Sequence, residues 1–139
     1  YNQLLETVID DLIVEKLKLI KIDEYNINLD KDEFKTHQER FFSKINYKKT
    51  DLEEIFKLND VKFDYLNEYL EVDIKWQKLI YGLYLRVSSV TEQEVSDLIS
   101  KNPDLDEETA SDLILQRQLD LKSIKLIKDL RDEATIEYK

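Results

Sequence analysis

Apolar residues recur every three or four positions along most of this chain, the spacing that lays them on one face of an α-helix rather than on one face of a strand. Near the N-terminus Leu5, Val8, Ile9, Leu12, Ile13, Lys16 and Ile20 share a face, with Glu6, Asp10, Lys18 and Lys21 largely elsewhere. This first helix is predicted to close at Tyr25-Asn26, because asparagine tolerates the left-handed backbone that commonly ends a helix. Ile27 and Leu29 then bridge to a second helix with Phe34, Phe41 and Ile45 on its inner face. After a loop from Asn46 to Lys49, a short third helix carries Leu52, Ile55 and Phe56 and closes at Asn59-Asp60.

From about Phe63 to Arg86 a long helix shows two apolar stripes, Leu66, Leu70, Ile74 and Tyr81 on one side and Val72, Trp76, Leu79 and Leu83 on another. Two stripes predict two buried faces, and hence a central helix covered from both sides. Gly82 inside it costs about 1 kcal/mol relative to alanine and fits either a close helix crossing or a tolerated defect. Val95, Leu98 and Ile99 mark a short helix stopped by Asn102-Pro103, since proline disfavours helical geometry in the residue before it. Beyond that break a helix of about 25 residues, roughly 37 Å long at 1.5 Å per residue, runs to Asp132 or Glu133. Its apolar positions are Leu115, Leu119, Leu126 and Leu130 on one side and Leu113, Leu121, Ile124 and Ile127 near another. The alternation of Ala134 to Tyr138 predicts a short terminal strand, which needs a partner strand that the chain does not obviously provide.

Helix starts are signalled four times by a hydrogen-bonding residue three positions ahead of an acid: Asp30 and Glu33, Thr50 and Glu53, Thr91 and Glu94, Thr109 and Asp112. The first side chain accepts a backbone N–H that the first turn leaves unsatisfied, and the acid favours the positive end of the helix dipole. Asp104 and Glu107 form an overlapping fifth signal, so the last helix is predicted to start within a turn of either.

Composition sharpens this all-α picture by exclusion. The 139 residues allow one domain, expected to comprise a helical region over 1–101, a short junction over 102–108 and a closing helix and strand over 109–139. A net charge of −10, from 21 bases against 31 acids, argues against nucleic acid as a partner. Acids at Asp104, Asp106, Glu107, Glu108 and Asp112 precede bases at Arg117, Lys122, Lys125, Lys128 and Arg131, a polarity that matches one helix dipole. There is no cysteine, hence no disulfide, thiolate metal site or cysteine nucleophile. The longest uncharged run, Leu79 to Leu85, is far short of the roughly 20 residues that span a bilayer, so no membrane insertion is expected. A chain that opens at Tyr1 and holds no methionine reads as a mature or trimmed fragment, without a visible signal peptide.

One glycine and one histidine remove most cofactor chemistry. A phosphate-cradling loop needs several glycines and a histidine-based metal site more than one imidazole, so no cofactor and no metal are expected. His37 lies beside Gln38 and Glu39 in a helix, where an edge position accounts for it better than a catalytic base. Paired acids arise by chance among 31, and none forms a recognisable constellation. Binding, without catalytic residues, becomes the default activity.

The order of these elements resembles that of the SurA-type periplasmic chaperones and related parvulin foldases. The resemblance lies in the run from Leu12 to Leu19 (LIVEKLKL), followed by the run from Tyr25 to Glu33 (YNINLDKDE), where Asn26 stands in place of the family's usual glycine. The runs Thr50 to Glu54 (TDLEE) and Val61 to Tyr65 (VKFDY), then Val87 to Val95 (VSSVTEQEV), follow in the same order and at similar spacing. The ending from Lys128 to Tyr138 (KDLRDEATIEY) is similar to the family's closing helix and strand. In the family one or two glycine-rich parvulin prolyl-isomerase domains usually lie between the helical region and the closing helix. Here the junction near Lys101 to Asp106 leaves no room for one, so the chain is expected not to be an enzyme.

The resemblance implies an ATP-independent periplasmic chaperone core that binds unfolded outer-membrane β-barrel proteins or aromatic-rich peptides and prevents their aggregation. It also implies an N-terminal strand, ahead of Tyr1, to pair with the tail, and a closing helix that packs back on the first and central helices. Such a chaperone needs an exposed apolar groove, for which the candidates are Tyr65, Tyr69, Trp76, Tyr81 and Tyr84; each also fits plain packing against a neighbouring helix. A helical scaffold or dimerisation module that recognises one folded partner is the alternative, and a homodimer is compatible with both.

Overall fold

The computed structural model describes residues 2–134, which fold into α1 Asn2–Glu24, α2 Lys31–Ile45, α3 Lys49–Leu58, α4 Asp64–Tyr84, α5 Glu92–Lys101 and α6 Glu107–Glu133. A 3-10 turn, Leu85–Val87, follows α4. The described residues are all-α and contain no strand. The strand expected over 134–138 lies, after Ala134, outside the described residues.

Two of the four expected helix starts hold as read. Asp30 Oδ1 accepts the Glu33 N–H at 2.7 Å. Thr91 and Glu94 form a reciprocal capping box, with N–H to side-chain distances of 3.1 and 3.2 Å. The other two shift. Helix α3 begins ahead of Thr50, with Lys48 at the cap and no side-chain acceptor, and Asp51 supplies the charge that suits the dipole in its first turn. Helix α6 starts between the two sequence candidates, where Asp106 Oδ1 accepts the Thr109 N–H at 2.7 Å. A carboxylate at the cap both accepts the bond and meets the positive end of the dipole, so Thr109 becomes a donor within the first turn.

Helix ends follow one rule three times. Asn26, Asn46 and Asp60 adopt left-handed backbone, with φ of 51°, 59° and 55°. Each is followed by a residue whose N–H reaches back five positions: Ile27 to the Ile22 carbonyl, Tyr47 to Phe42 and Val61 to Phe56, at 3.1, 3.3 and 2.9 Å. Each left-handed residue also donates to the carbonyl three positions back, Asp23, Ser43 or Lys57. This is the Schellman arrangement, with an apolar residue at both ends of each long bond.

The chain divides into two compact units, one made of Tyr1–Leu17 and Ile80–Lys139, the other of Lys18–Leu79. In the second unit the buried residues are Ile22, Phe42, Leu70, Ile74, Trp76 and Leu79. Polar ties join its helices. Gln38 Nε2 donates to Asn67 Oδ1 at 3.0 Å, and Lys78 Nζ donates to the Asn28 carbonyl at 2.8 Å and to the Glu33 carboxylate at 3.0 Å. The Lys18 ammonium sits 5.7 Å from the Trp76 ring centroid, and the rings of Phe56 and Phe63 meet edge to face.

In the first unit the buried residues are Ile80, Ala110, Ile114 and Leu119. Here α5 packs along α6, and residues 102–106 form the turn between them, so that 107 and 108 of the expected junction belong to α6. Contacts of the closing helix with earlier elements include three from its side chains. Arg131 donates to the Asp10 carboxylate of α1, the Lys122 ammonium lies 5.9 Å from the Tyr84 ring centroid, and Gln118 pairs with the backbone of Ser89.

The two stripes expected on α4 are both covered, at Leu70 and Ile74 on one and at Trp76 and Leu79 on the other, although Tyr81 stays exposed. Two faces read from the periodicity, on α1 and α2, are corrected, and on α6 one of the two apolar sides proves to be the inner one. In α1 the residues Leu5, Val8, Leu12 and Ile20 are exposed, and the shielded side runs through Ile9, Ile13 and Leu17. That helix is apolar nearly all round, so spacing alone selects no inner face. In α2 the buried ring is Phe42, one residue past Phe41, and Ile45 is exposed. In α6 the stripe through Leu119 is shielded, whereas Leu113, Leu121 and Ile124 face outward. A Cβ placed on Gly82 would meet nothing within 4 Å, so this glycine marks no helix crossing.

Replacing Trp76 by alanine is expected to cost the second unit about 3–5 kcal/mol in urea unfolding, because the ring is buried and would leave a cavity. Replacing Asn46 by glycine is expected to stabilise the same unit, by up to about 1 kcal/mol, because glycine adopts the left-handed backbone without a Cβ penalty.

Candidate functional site

Within the first unit an open groove of about 910 Å³ runs along α5 and the start of α6. Val90, Val95 and Ile99 line it as half-buried apolar residues, and Ser111 adds a half-buried hydroxyl. Thr91, Glu92, Ser96, Ser100, Glu107 and Glu108 form an exposed polar rim. An apolar lining under a rim of hydroxyls and carboxylates suits an extended segment, with side chains below and backbone N–H groups meeting acceptors above.

Local chemistry fixes both walls. The capping box at Thr91 sets the start of α5, which puts Val95 and Ile99 one turn apart on the groove side. The Asp106 cap sets the start of α6 and with it Glu107, Glu108 and Ser111. Between them Gln118 acts as a clasp. Its Nε2 donates to the Ser89 carbonyl at 2.6 Å and its Oε1 accepts the Ser89 N–H at 3.2 Å, holding the strand of chain that leads into Val90 and Thr91 against α6. Hydrogen bonds from the Thr109 backbone and side chain hold the Asp106 carboxyl below the usual carboxylate range. Asp30 is lowered as well, chiefly by the Glu33 N–H.

The five aromatic residues read from the sequence do not meet in this groove. Tyr65 and Tyr69 are 60% and 56% exposed, one turn apart on the part of α4 that belongs to the second unit. Trp76, in the same unit, is 4% exposed, so its ring serves the core and offers no open surface to a peptide. Tyr81 and Tyr84 belong to the first unit, the one exposed and the other half-buried beside Lys122. Two smaller cavities lie in the second unit, about 450 Å³ around Phe56 and Phe63 and about 430 Å³ around Leu29 and Phe34. None of the five aromatics lines any of these three cavities.

The groove residues were visible in the sequence as the apolar positions of a short helix, Val95 and Ile99, and as a cap, Thr91. Their convergence with Ser111 depends on the α5–α6 turn and on the Gln118 clasp, a pairing across 29 positions that no local spacing signals. His37 is half-buried in the second unit. Among the described residues no group of three His, Cys, Asp or Glu is placed to hold a metal ion, and no helix is long and apolar enough to cross a membrane.

Comparison with known proteins matches this chain to no family model, no curated protein and no solved structure.

The Asp106 cap gives the groove an acid-sensitive wall. A carboxyl lowered in the folded state contributes stability that is full above its unfolded value near 3.8 and is lost as pH falls through the lower folded value. Asp106→Asn keeps an acceptor at the cap and removes the titration. The variant is expected to lose less stability than the parent between about pH 5 and about pH 3, measured by urea unfolding.

Proposed function

We propose that this chain is an ATP-independent chaperone core that shelters extended apolar segments of unfolded proteins, with outer-membrane β-barrel proteins as its clients in the periplasm. The observation that carries the binding reading is the α5–α6 groove, whose apolar lining and polar rim suit an extended polypeptide. The identity of the clients and the compartment rest on the resemblance to SurA-type chaperones. At Asn26, where that family usually has glycine, the backbone is left-handed, the conformation that glycine adopts most readily. Exposed Tyr65 and Tyr69 offer a second apolar contact for clients rich in aromatic residues.

The reading predicts weak, broad and nucleotide-independent binding. Added to an unfolded outer-membrane protein diluted from urea, the chain is expected to delay aggregation, equally with and without ATP. Ile99→Glu, which puts a charge into the lining of the groove, is expected to lose most of that protection while circular dichroism shows its helices intact. No delay by the parent chain, or equal protection by Ile99→Glu, would defeat the proposal. Tight binding to one folded protein, with no effect on several unrelated unfolded ones, would favour the scaffold reading instead.

A further inference from the structure

The α5–α6 groove carries charge of one sign. Glu92, Glu107 and Glu108 stand in its exposed rim, and none of its lining residues is a lysine, arginine or histidine. Among the described residues no ion pair engages any of these three carboxylates. They lie on the groove sides of their helices: Glu92 shares one side of α5 with Val95, Ser96 and Ile99, and Glu107 and Glu108 share one side of α6 with Ser111. The bases of the same helices lie off it. Lys101 follows Glu92 by about two and a half turns, which puts it on the far side of α5, and Arg117 is turned about a third of a turn away from Ser111. Lys122, further along α6, has its ammonium 5.9 Å from the Tyr84 ring centroid.

Acids in a first turn also suit the helix dipole, which puts about half a positive charge at each of the two helix starts. Those halves offset about one of the three full charges, and the Asp106 carboxylate already caps one start. The groove stays negative, and its apolar walls concentrate that field. The carboxylates also mark both of its ends. Glu92 opens α5, and the short turn after Lys101 brings Glu107 and Glu108 next to the other end of that helix. Gln118, later in α6, pairs with Ser89 ahead of α5, so the two helices run antiparallel. From Glu92 to Ile99 the helix rises about 10 Å, the reach of about three residues of extended chain.

Resting on the proposed binding of extended segments in this groove, we infer that it selects segments whose short apolar stretch is flanked on both sides by lysine or arginine, and disfavours those with acidic flanks. Val90, Val95 and Ile99 take the alternate apolar side chains of the segment. Its basic flanks meet Glu92 at one end and Glu107 and Glu108 at the other. A segment with neutral flanks gains the lining alone. One with acidic flanks sets like charges against the rim, a cost that works as selectivity.

Fluorescence anisotropy with three dye-labelled, end-blocked peptides tests this on the full chain. The peptides share one core of alternating valine and serine and differ only in the residue at each flank, lysine, glutamine or glutamate. At about 20 mM salt the lysine-flanked peptide is expected to bind the parent about fivefold tighter than the glutamine-flanked one, with the glutamate-flanked peptide weakest. The differences are expected to fade towards about 1 M salt, where the screening length is about 3 Å. Glu92→Gln, Glu107→Gln and Glu108→Gln together are expected to bring the three affinities within about twofold of one another, with helices intact by circular dichroism, and Glu92→Gln alone to halve the lysine preference roughly. Glu39→Gln, Glu53→Gln and Glu54→Gln, at exposed acids of the second unit, change the net charge equally and are expected to keep the order. Equal affinities for the parent, or an order that survives the groove substitutions, would overturn the inference. An order erased equally by the second-unit substitutions would overturn it too, assigning the preference to the net charge of −10. Equal affinities that all fall with Ile99→Glu would sink this selectivity and leave the groove reading standing, whereas no binding of any peptide to the parent would sink both.

Discussion

Ending a helix without glycine is the constraint on which the second unit depends. A chain that turns back after a helix commonly does so through a left-handed residue, and the one glycine of this sequence is placed inside α4. Asn26, Asn46 and Asp60 take that role, and each carries a small strain because an L-residue crowds its own carbonyl there. The compensation lies in the residues around them. The bond that closes each end runs from Ile27, Tyr47 or Val61 to the carbonyl of Ile22, Phe42 or Phe56, so the capped turn and the packed side chain belong to the same few residues. Ile22 and Phe42 are among the buried residues of the unit, which couples the direction of each turn to the core.

The first unit solves a different problem. Its helices α5 and α6 are joined by a short turn containing the single proline, and their starts are set by side-chain acceptors at Thr91 and Asp106. Two well-capped helices joined by a short turn leave along their surface a groove that a small core of Ile80, Ala110, Ile114 and Leu119 does not fill. The Gln118 clasp ties Ser89, next to the groove residues Val90 and Thr91, to α6. An open, part-apolar groove costs stability, since its lining stays partly hydrated, and such a cost is intelligible where a segment of another chain is to be bound.

Much of the architecture was legible because helix ends are local chemistry. The six helices, the Asp30 and Thr91 caps, the closure at Asn26 and the stop at Asn102-Pro103 all depend on residues within a few positions of one another. Inner faces were harder. Helix α1 is apolar on opposite sides, and Leu12 and Ile13 could each have pointed inward; only the partners present decide, and they are distant in sequence. Phe41 and Phe42 posed the same ambiguity in α2. The candidate site was the least legible part. Aromatic content pointed to α4, where Trp76 is core, whereas the groove is lined by valine, isoleucine, serine and glutamate, residue types that signal nothing until the α5–α6 turn gathers them.

The central claim is that the α5–α6 groove receives an extended segment of an unfolded protein. Backbone amide shifts of the isotopically labelled chain, followed while an unlabelled aromatic-rich peptide from an outer-membrane β-strand is titrated in, test it most directly. Shifts concentrated on residues 90–100 and 107–111, saturating together and unaffected by nucleotide, are predicted. Shifts confined to the region of Tyr65 and Tyr69, or no saturable change anywhere, would contradict the account.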